Sequence, residues 1–288
     1  MNENITNIHW FPGHMMKTLR MIEASLGEVD VVIELLDARI PASSKNPELA
    51  ALTAGKPRLL LLNKSDLADA DATARWLSYY KNNGYGAVAI SSKEQKLARL
   101  CVESCRALIK EKLERQSARG AVNPRIRAMV VGIPNVGKST FINNISQRAS
   151  AKTEDRPGVT RGKQWISLPD IELLDMPGVL WRKFEDINTA LKLSFTGAIK
   201  DDILDVEQVA CCLLSILRSE YPAALCERYK LEASLFPEEN YELLELIAKK
   251  RGMLISKGEY DTLRAAGMLL DELRGGKLGR ITLEEPTL

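Results

Sequence analysis

The sequence predicts an α/β protein, doubly wound around a mostly parallel sheet, with a smaller all-α domain towards its C-terminal end. Three observations carry that expectation. Short apolar runs, such as the β-branched-rich Val29–Leu36 and the all-leucine Leu59–Leu62, alternate with helical patterns over the first part of the chain. Four predicted strands end in polar loops: Asn63–Asp66, Ser91–Lys93, Gly132–Ser139 and Asp175–Gly178. Ligands of doubly wound sheets bind outside the carboxyl ends of the strands, so these loops should share one site. From about residue 200 the strand signals stop. The domains are accordingly placed at residues 1–195 and 200–288.

Composition narrows the class. A chain of 288 residues holds one large domain or two smaller ones. The formal charge of +2 is too small to argue for nucleic acid, so any RNA site must come from local clustering. No apolar run approaches a membrane span, and His9, Trp10 and Pro12 do not fit a secretion signal. A cytoplasmic monomer without membrane contact is expected. The five cysteines lack paired C-x-x-C spacing, which favours reduced, mostly buried thiols over zinc.

The elements follow in order. Pro12-Gly13 breaks the chain, and Met15, Leu19, Ile22 and Leu26 then share one helical face. Val29–Leu36 reads as a buried parallel strand ending in the loop Asp37–Pro41. Leu59–Leu62 is a second strand, ending at Asn63-Lys64-Ser65-Asp66, and a helix is expected around Ala72–Lys81. A short strand, Ala87–Ile90, precedes Ser91-Ser92-Lys93, and residues 95–118 read as one helix. The helix end carries Lys110, Lys112, Arg115, Arg119 and Arg125, a solvated face and a linker candidate. Ile126–Val131 leads into Gly132–Ser139 and another helix; Asp155–Arg161 is a polar turn segment. Gln164–Leu168 and Ile171–Leu174 form a hairpin around Pro169-Asp170. Helices are expected over 206–217, 223–229, 241–250 and 259–273; in the last, Tyr260, Leu263, Gly267 and Leu270 read as core.

Gly132-Ile133-Pro134-Asn135-Val136-Gly137-Lys138-Ser139 matches the phosphate-binding loop G-x-x-x-x-G-K-[ST] between a strand and a helix. Its amides, from Asn135, Val136 and Gly137 into Thr140, would cradle phosphates at a helix N-terminus. Lys138 would reach the β- and γ-phosphates and Ser139 would hold Mg²⁺. The loop alone leaves ATP and GTP open, and Asn63–Asp66 decides between them. The Asp66 carboxylate can accept from guanine N1–H and N2–H, a donor pair adenine lacks. Asn63 can help from the O6/N7 side, Lys64 can cover the base, and amides at Ser91-Ser92 could meet O6. A plain helix cap at Ser65 or Asp66 is the ordinary alternative. Asp175 fits the Mg²⁺-side acid, directly or through water, and Gly178 the amide that senses the γ-phosphate. Thr160 is placed to complete the Mg²⁺ shell.

These are the guanine, phosphate and switch motifs of a Ras-like GTPase, but Asn63–Asp66 and Ser91–Lys93 precede the phosphate loop. The chain therefore resembles the circularly permuted GTPases. Within them it resembles the YlqF/RbgA family of large-subunit assembly factors, through Trp10–Met15, Asp37–Pro41, Gly132–Ser139, Asp155–Thr160, Thr196–Asp201, Gly279-Arg280 and Glu285–Thr287. The resemblance implies slow intrinsic GTP hydrolysis, stimulation by the large ribosomal subunit, and an RNA-binding C-terminal bundle. Lys249-Lys250-Arg251, Lys257, Arg274, Lys277 and Arg280 suit phosphate contacts, and equally a solvated surface. Ras-like proteins orient the attacking water with a Gln after the Asp-x-x-Gly glycine; Val179 stands there instead. The resemblance assigns that task to His14, which could otherwise cap or pack the first helix. It also implies K⁺ at Asn135, otherwise a turn residue.

The expected function is a GTP-hydrolysing switch that assists assembly of the large ribosomal subunit by binding its rRNA. The alternatives are a GTP-dependent switch acting on a protein partner without RNA, and a P-loop kinase of metabolism. The guanine motif and the lack of a recognisable acceptor site argue against the kinase.

Overall fold

The computed structural model describes residues 13–92, 94, 96–122, 124–149, 163–184, 186–255 and 258–287, without the side chains of 13, 14 and 147–149. The chain divides into two compact units. The first ends at Phe184 and regains the chain from Glu284; the second is Glu185–Leu283. The boundary thus lies about ten residues before the expected one, and the C-terminal tail returns to the first unit.

In the first unit six strands form one sheet: β1 (Val31–Asp37), β2 (Arg58–Asn63), β3 (Gly86–Ala89), β4 (Ile126–Gly132), β5 (Gln164–Ser167) and β6 (Ile171–Asp175). Their order is β3-β2-β1-β4-β6-β5, parallel except for the edge strand β5. β1 sits at the centre with every residue buried, as a near-continuous apolar run in a parallel sheet demands. Glu34 departs from that pattern. It is fully buried and pairs with Arg58 of β2, and desolvation raises its pKa despite that partner.

The helices of this unit are α1 (Gly13–Ser25), α2 (Pro47–Leu52), α3 (Ala70–Asn82), α4 (Leu97–Leu108), α5 (Lys110–Ala118) and α6 (Lys138–Ala149). Met15, Leu19 and Ile22 of α1 are buried; Leu26 falls in a 3₁₀ turn beyond the helix. The single helix expected over 95–118 breaks at Ile109, which leaves helical geometry at φ −117° and is itself buried. Beyond the break α5 buries no residue, so its charges are solvated. α2 was not foreseen, although Asn46-Pro47 is a cap followed by proline at the first helical position.

The second unit contains α7 (Ile187–Phe195), α8 (Val206–Glu220), α9 (Pro222–Tyr229), α10 (Asn240–Lys250) and α11 (Thr262–Arg274). α8 packs against the other four through a face of Val209, Ala210, Leu213, Leu214 and Leu217. The expected core face of α11 holds at Leu270 but not at Leu263. Asp261 caps the helix, and Ala265, Ala266, Leu269, Leu270 and Leu273 turn inward, leaving Leu263 59% exposed. Arg274 donates to the carbonyls of Ser194 and Phe195 at the end of α7 and pairs with Asp201. All five cysteines are free, and only Cys101 and Cys105 are fully buried. Among the described residues no single helix is long and apolar enough to cross a membrane.

Candidate nucleotide site

The strand order reverses between β1 and β4, so the loops that leave their carboxyl ends run to opposite sides of the sheet and leave a crevice. Gly132 closes β4, and Lys138 opens α6. Between them Asn135 and Gly137 take φ of +57° and +95°, which turns successive amides to one side. A cavity of ≈ 350 Å³ results, bounded by Asn135, Gly137–Thr140 and Pro177-Gly178. Ser139 and Thr140 are exposed at it, at the N-terminus of a 12-residue helix that favours anions.

Gly178 closes the cavity from the end of β6. A Cβ there would stand 3.1 Å from Pro134 Cα, so glycine permits the close approach of the two loops. Val179 N–H donates to Gly132 O at 3.1 Å, tying the segment after Gly178 to the phosphate loop. Val179, Leu180 and Trp181 are all buried, so the position that holds the water-orienting Gln in Ras-like proteins is here a packing position.

Lys138 and Asp175 are buried and ion-paired, Nζ to Oδ1 at 2.5 Å. The sequence assigned them to phosphate and to Mg²⁺; in this structure each holds the other. A donor set of one carboxylate and one hydroxyl, Asp175 and Ser139, would suit Mg²⁺, which takes one or two protein oxygens and completes its octahedron with phosphates and water. Among the described residues no cluster of three or more His, Cys, Asp or Glu offers an all-protein metal cage.

Asn63, at the end of β2, is 1% exposed and fully engaged. Its Nδ2 donates to Val136 O at 2.8 Å, and its Oδ1 accepts from Ser92 N at 2.9 Å and Ser92 Oγ at 2.8 Å. It is therefore a strut between three loops, not a free side chain facing a base. Asn144 of α6 adds a second tie, donating to Ser92 O at 2.7 Å. Ser91 and Ser92 are buried, while Asp66 is exposed. Lys64 adopts φ +61°, and its Nζ spans from Asp37 Oδ2 at 2.9 Å to Asn135 O at 2.8 Å.

Asp37, the last residue of β1, and Arg39, on the loop that follows, anchor one end of this bridge. Arg39 grips Asp37 with Nε at 2.9 Å and Nη2 at 2.8 Å, and both are buried. Burial alone would raise the Asp37 pKa, but Arg39 and Lys64 outweigh it and hold the carboxyl well below the usual range. The sequence had marked Asp37–Pro41 as a loop without a role; no local pattern reveals that its acid would meet Lys64. Thr160 and the side chain of His14 lie outside the described residues, as do Lys93 and the segment Asp155–Arg161.

The glycine-loop amides can thus take a phosphate chain, and the Asp66 carboxylate stands exposed on the loop after β2. Comparison with known proteins agrees. The family model described as 50S ribosome-binding GTPase matches residues 127–250, starting at β4, so Asn63–Asp66 and Ser91-Ser92 lie ahead of it in permuted order. The chain is 47% identical to ribosome biogenesis GTPase A of Bacillus cereus, across 97% of this chain and 94% of that protein. The Priestia megaterium protein of the same name is also 47% identical, over 97% of each chain. The crystal structure of GNP-bound YlqF from T. maritima superposes with a TM-score of 0.65 at 25% identity, covering 94% of this chain and 98% of that one. The GDP-bound structure of that protein gives a TM-score of 0.64. With a permuted guanine-nucleotide site and near full-length relatives at this identity, the chain is a GTP hydrolase that belongs to the ribosome biogenesis GTPase A family.

Proposed function

We propose that this GTPase is a switch in ribosome assembly, acting on the large subunit through its rRNA in the cytoplasm. The observation that carries the reading is the Asn63 strut. It joins the guanine loop, Ser91-Ser92 and the phosphate loop, so that nucleotide identity and phosphate binding are read by one connected unit. The names of the relatives supply the ribosomal context.

In this reading Asp66 selects guanine, with Ser91 and Ser92 on the O6 side. Lys64 lies along the base, and Lys138 turns from Asp175 to the β- and γ-phosphates. Ser139, Thr160 and Asp175 would hold Mg²⁺, which would supply neutralisation of phosphate charge. Asn135, exposed at the cavity, would hold K⁺, which would supply positive charge in place of an arginine finger. The chemistry is in-line attack by water, driven by positioning and charge stabilisation. Purified large subunits should raise the GTPase rate, and more in K⁺ than in Na⁺. No stimulation would remove the ribosomal reading, and equal rates in the two salts would remove K⁺ alone.

His14 is the proposed water-orienting group, since the buried Val179 offers no polar side chain. His14→Ala should lower stimulated turnover by about 10²-fold, the scale of general acid–base catalysis, with GTP affinity nearly unchanged. An unaltered turnover number excludes it.

The RNA reading is supported by a groove of ≈ 680 Å³ in the second unit, lined by Arg228, Lys230, Lys250, Arg251 and Lys277 beside Glu227. Lys230, Lys250 and Lys277 are exposed, while Arg228 and Arg251 lean on Glu272. Lys230→Glu with Lys277→Glu should weaken RNA binding at least tenfold and reduce the salt slope by about one per lysine. Nucleotide affinity should stay within twofold. Binding of the wild-type chain to a large subunit but not to its naked rRNA would favour a protein partner instead.

A further inference from the structure

The chain passes between its two units twice, after Phe184 and after Leu283. Both passages are anchored on one short stretch of the first unit, residues 42–48. On the outgoing side, Asn46 Nδ2 donates to Val179 O at 3.0 Å, and Arg182 N–H donates to Glu48 Oε1 at 3.3 Å. On the returning side, the Glu284 carboxylate accepts from Ala42 N–H at 2.7 Å, from Ser43 N–H at 3.2 Å, and from the Ser43 hydroxyl. Trp76 Nε1 fixes the same residue by donating to Glu284 O at 3.0 Å.

Neither anchor is a loose surface contact. Asn46 and Val179 are 0% exposed, and Ser43 and Glu284 are below a tenth. Asn46 is also committed at its other end, where Oδ1 accepts from Glu48 N and Leu49 N to cap α2. A displacement of Val179 therefore moves the start of α2 or breaks a buried hydrogen bond. Val179 follows directly on Gly178, and its own N–H is bonded to Gly132 of the phosphate loop.

We propose that residues 42–48 are a relay in which Asn46 and Glu284 act as positioning residues, coupling the γ-phosphate state at Gly178 to the returning tail at Glu284. The inference rests on Gly178 as the γ-phosphate-sensing amide. When GTP draws that amide inward, the Val179 carbonyl shifts, and Asn46 carries the shift to the amides that hold the tail. The chain is then held differently at the two places where it leaves and re-enters the first unit in the two nucleotide states. Such coupling is a difference in free energy between two states and is reciprocal: a ligand that favours the GTP form of the tether raises GTP affinity by the same factor.

The test is hydrogen–deuterium exchange on the full chain with GDP and with a non-hydrolysable GTP analogue, read in peptides covering 42–49, 176–184 and 279–287. In the wild type, exchange in all three should differ between nucleotides by about fivefold or more. Asn46→Ser keeps an N-cap acceptor but cannot reach Val179, and Glu284→Ala removes the tail anchor without touching the cap. In either variant 176–184 should still respond to nucleotide while 279–287 no longer does. A wild-type tail indifferent to nucleotide, with 176–184 responsive, overturns the relay; so does a tail response that survives both substitutions. If 176–184 itself ignores the nucleotide, the assignment of Gly178 fails and the relay with it.

Discussion

Gly137→Ala should weaken nucleotide binding by at least about 10³-fold. Gly137 has φ +95°, where an L-residue is strained, and a Cβ there would stand 2.4 Å from Asn63 Nδ2. Nothing else can yield, because Asn63 is locked by bonds to Val136 O, Ser92 N and Ser92 Oγ. Expelling Asn63 breaks three buried hydrogen bonds, each worth on the order of 1 kcal/mol or more when a partner is left unsatisfied. Together with the backbone strain this is about 4 kcal/mol or more, or at least about 10³-fold in affinity if the loss falls on the nucleotide-binding arrangement. Titration with a fluorescent GTP and GDP analogue should show both weakened to that degree. Gly84→Ala is the control: its φ is +81°, but open space surrounds its Cβ, so it bears strain without touching the site. Gly137→Ala binding within tenfold of wild type would mean that the strut is not what shapes the loop.

That interaction also marks how far the sequence could be read. The phosphate loop was legible because its constraints are local: glycines where φ is positive, a strand before it and a helix after. The mixed outcome at Asn63 is instructive. Its place at a strand end was readable, but its side chain was expected at the base and instead joins Val136, 73 residues away, to Ser92. Partner choice at that range depends on strand order, and β3-β2-β1-β4-β6-β5 cannot be derived from apolar runs that look alike. The same limit hid Glu34, which sits among apolar neighbours in sequence and finds Arg58 only across the sheet. It hid Glu284, whose partners Ala42 and Ser43 lie more than 240 residues earlier. Leu263 failed for a different reason. Leu263, Gly267 and Leu270 share a helical face, but the buried face runs through Ala266, Leu270 and Leu273, so of the three only Leu270 is buried.

Asp37→Asn should destabilise the first unit by about 3–5 kcal/mol, the penalty for removing one partner of a buried ion pair. Arg39 is 1% exposed and spends its Nε and Nη2 on Asp37. An amide can accept one of those bonds but carries no charge to offset the guanidinium. For a unit of this size the midpoint of thermal unfolding should fall by roughly 6–20 °C. Adding Arg39→Met should restore part of the loss, because the buried charge that Asp37 offsets goes with it. The pH dependence separates this ion pair from mere packing. Arg39 and Lys64 hold the folded Asp37 carboxyl below its unfolded value, despite burial that pushes it upward. The folded chain therefore binds fewer protons there than the unfolded chain does. Its contribution is complete above the unfolded pKa of about 3.9 and drains away as pH falls towards the folded one. The stability gap between wild type and Asp37→Asn should accordingly be constant from pH 8 to about 5 and narrow below about pH 4. The Asp37→Asn chain should also loosen Lys64, one of whose two anchors is lost, and with it the carbonyl of Asn135 in the phosphate loop. Weakened GTP affinity in Asp37→Asn at a temperature where the chain is still folded would place the loop after β1 among the determinants of nucleotide binding. A gap that stays the same down to pH 3 would show that Asp37 is held by its shape and not by its charge.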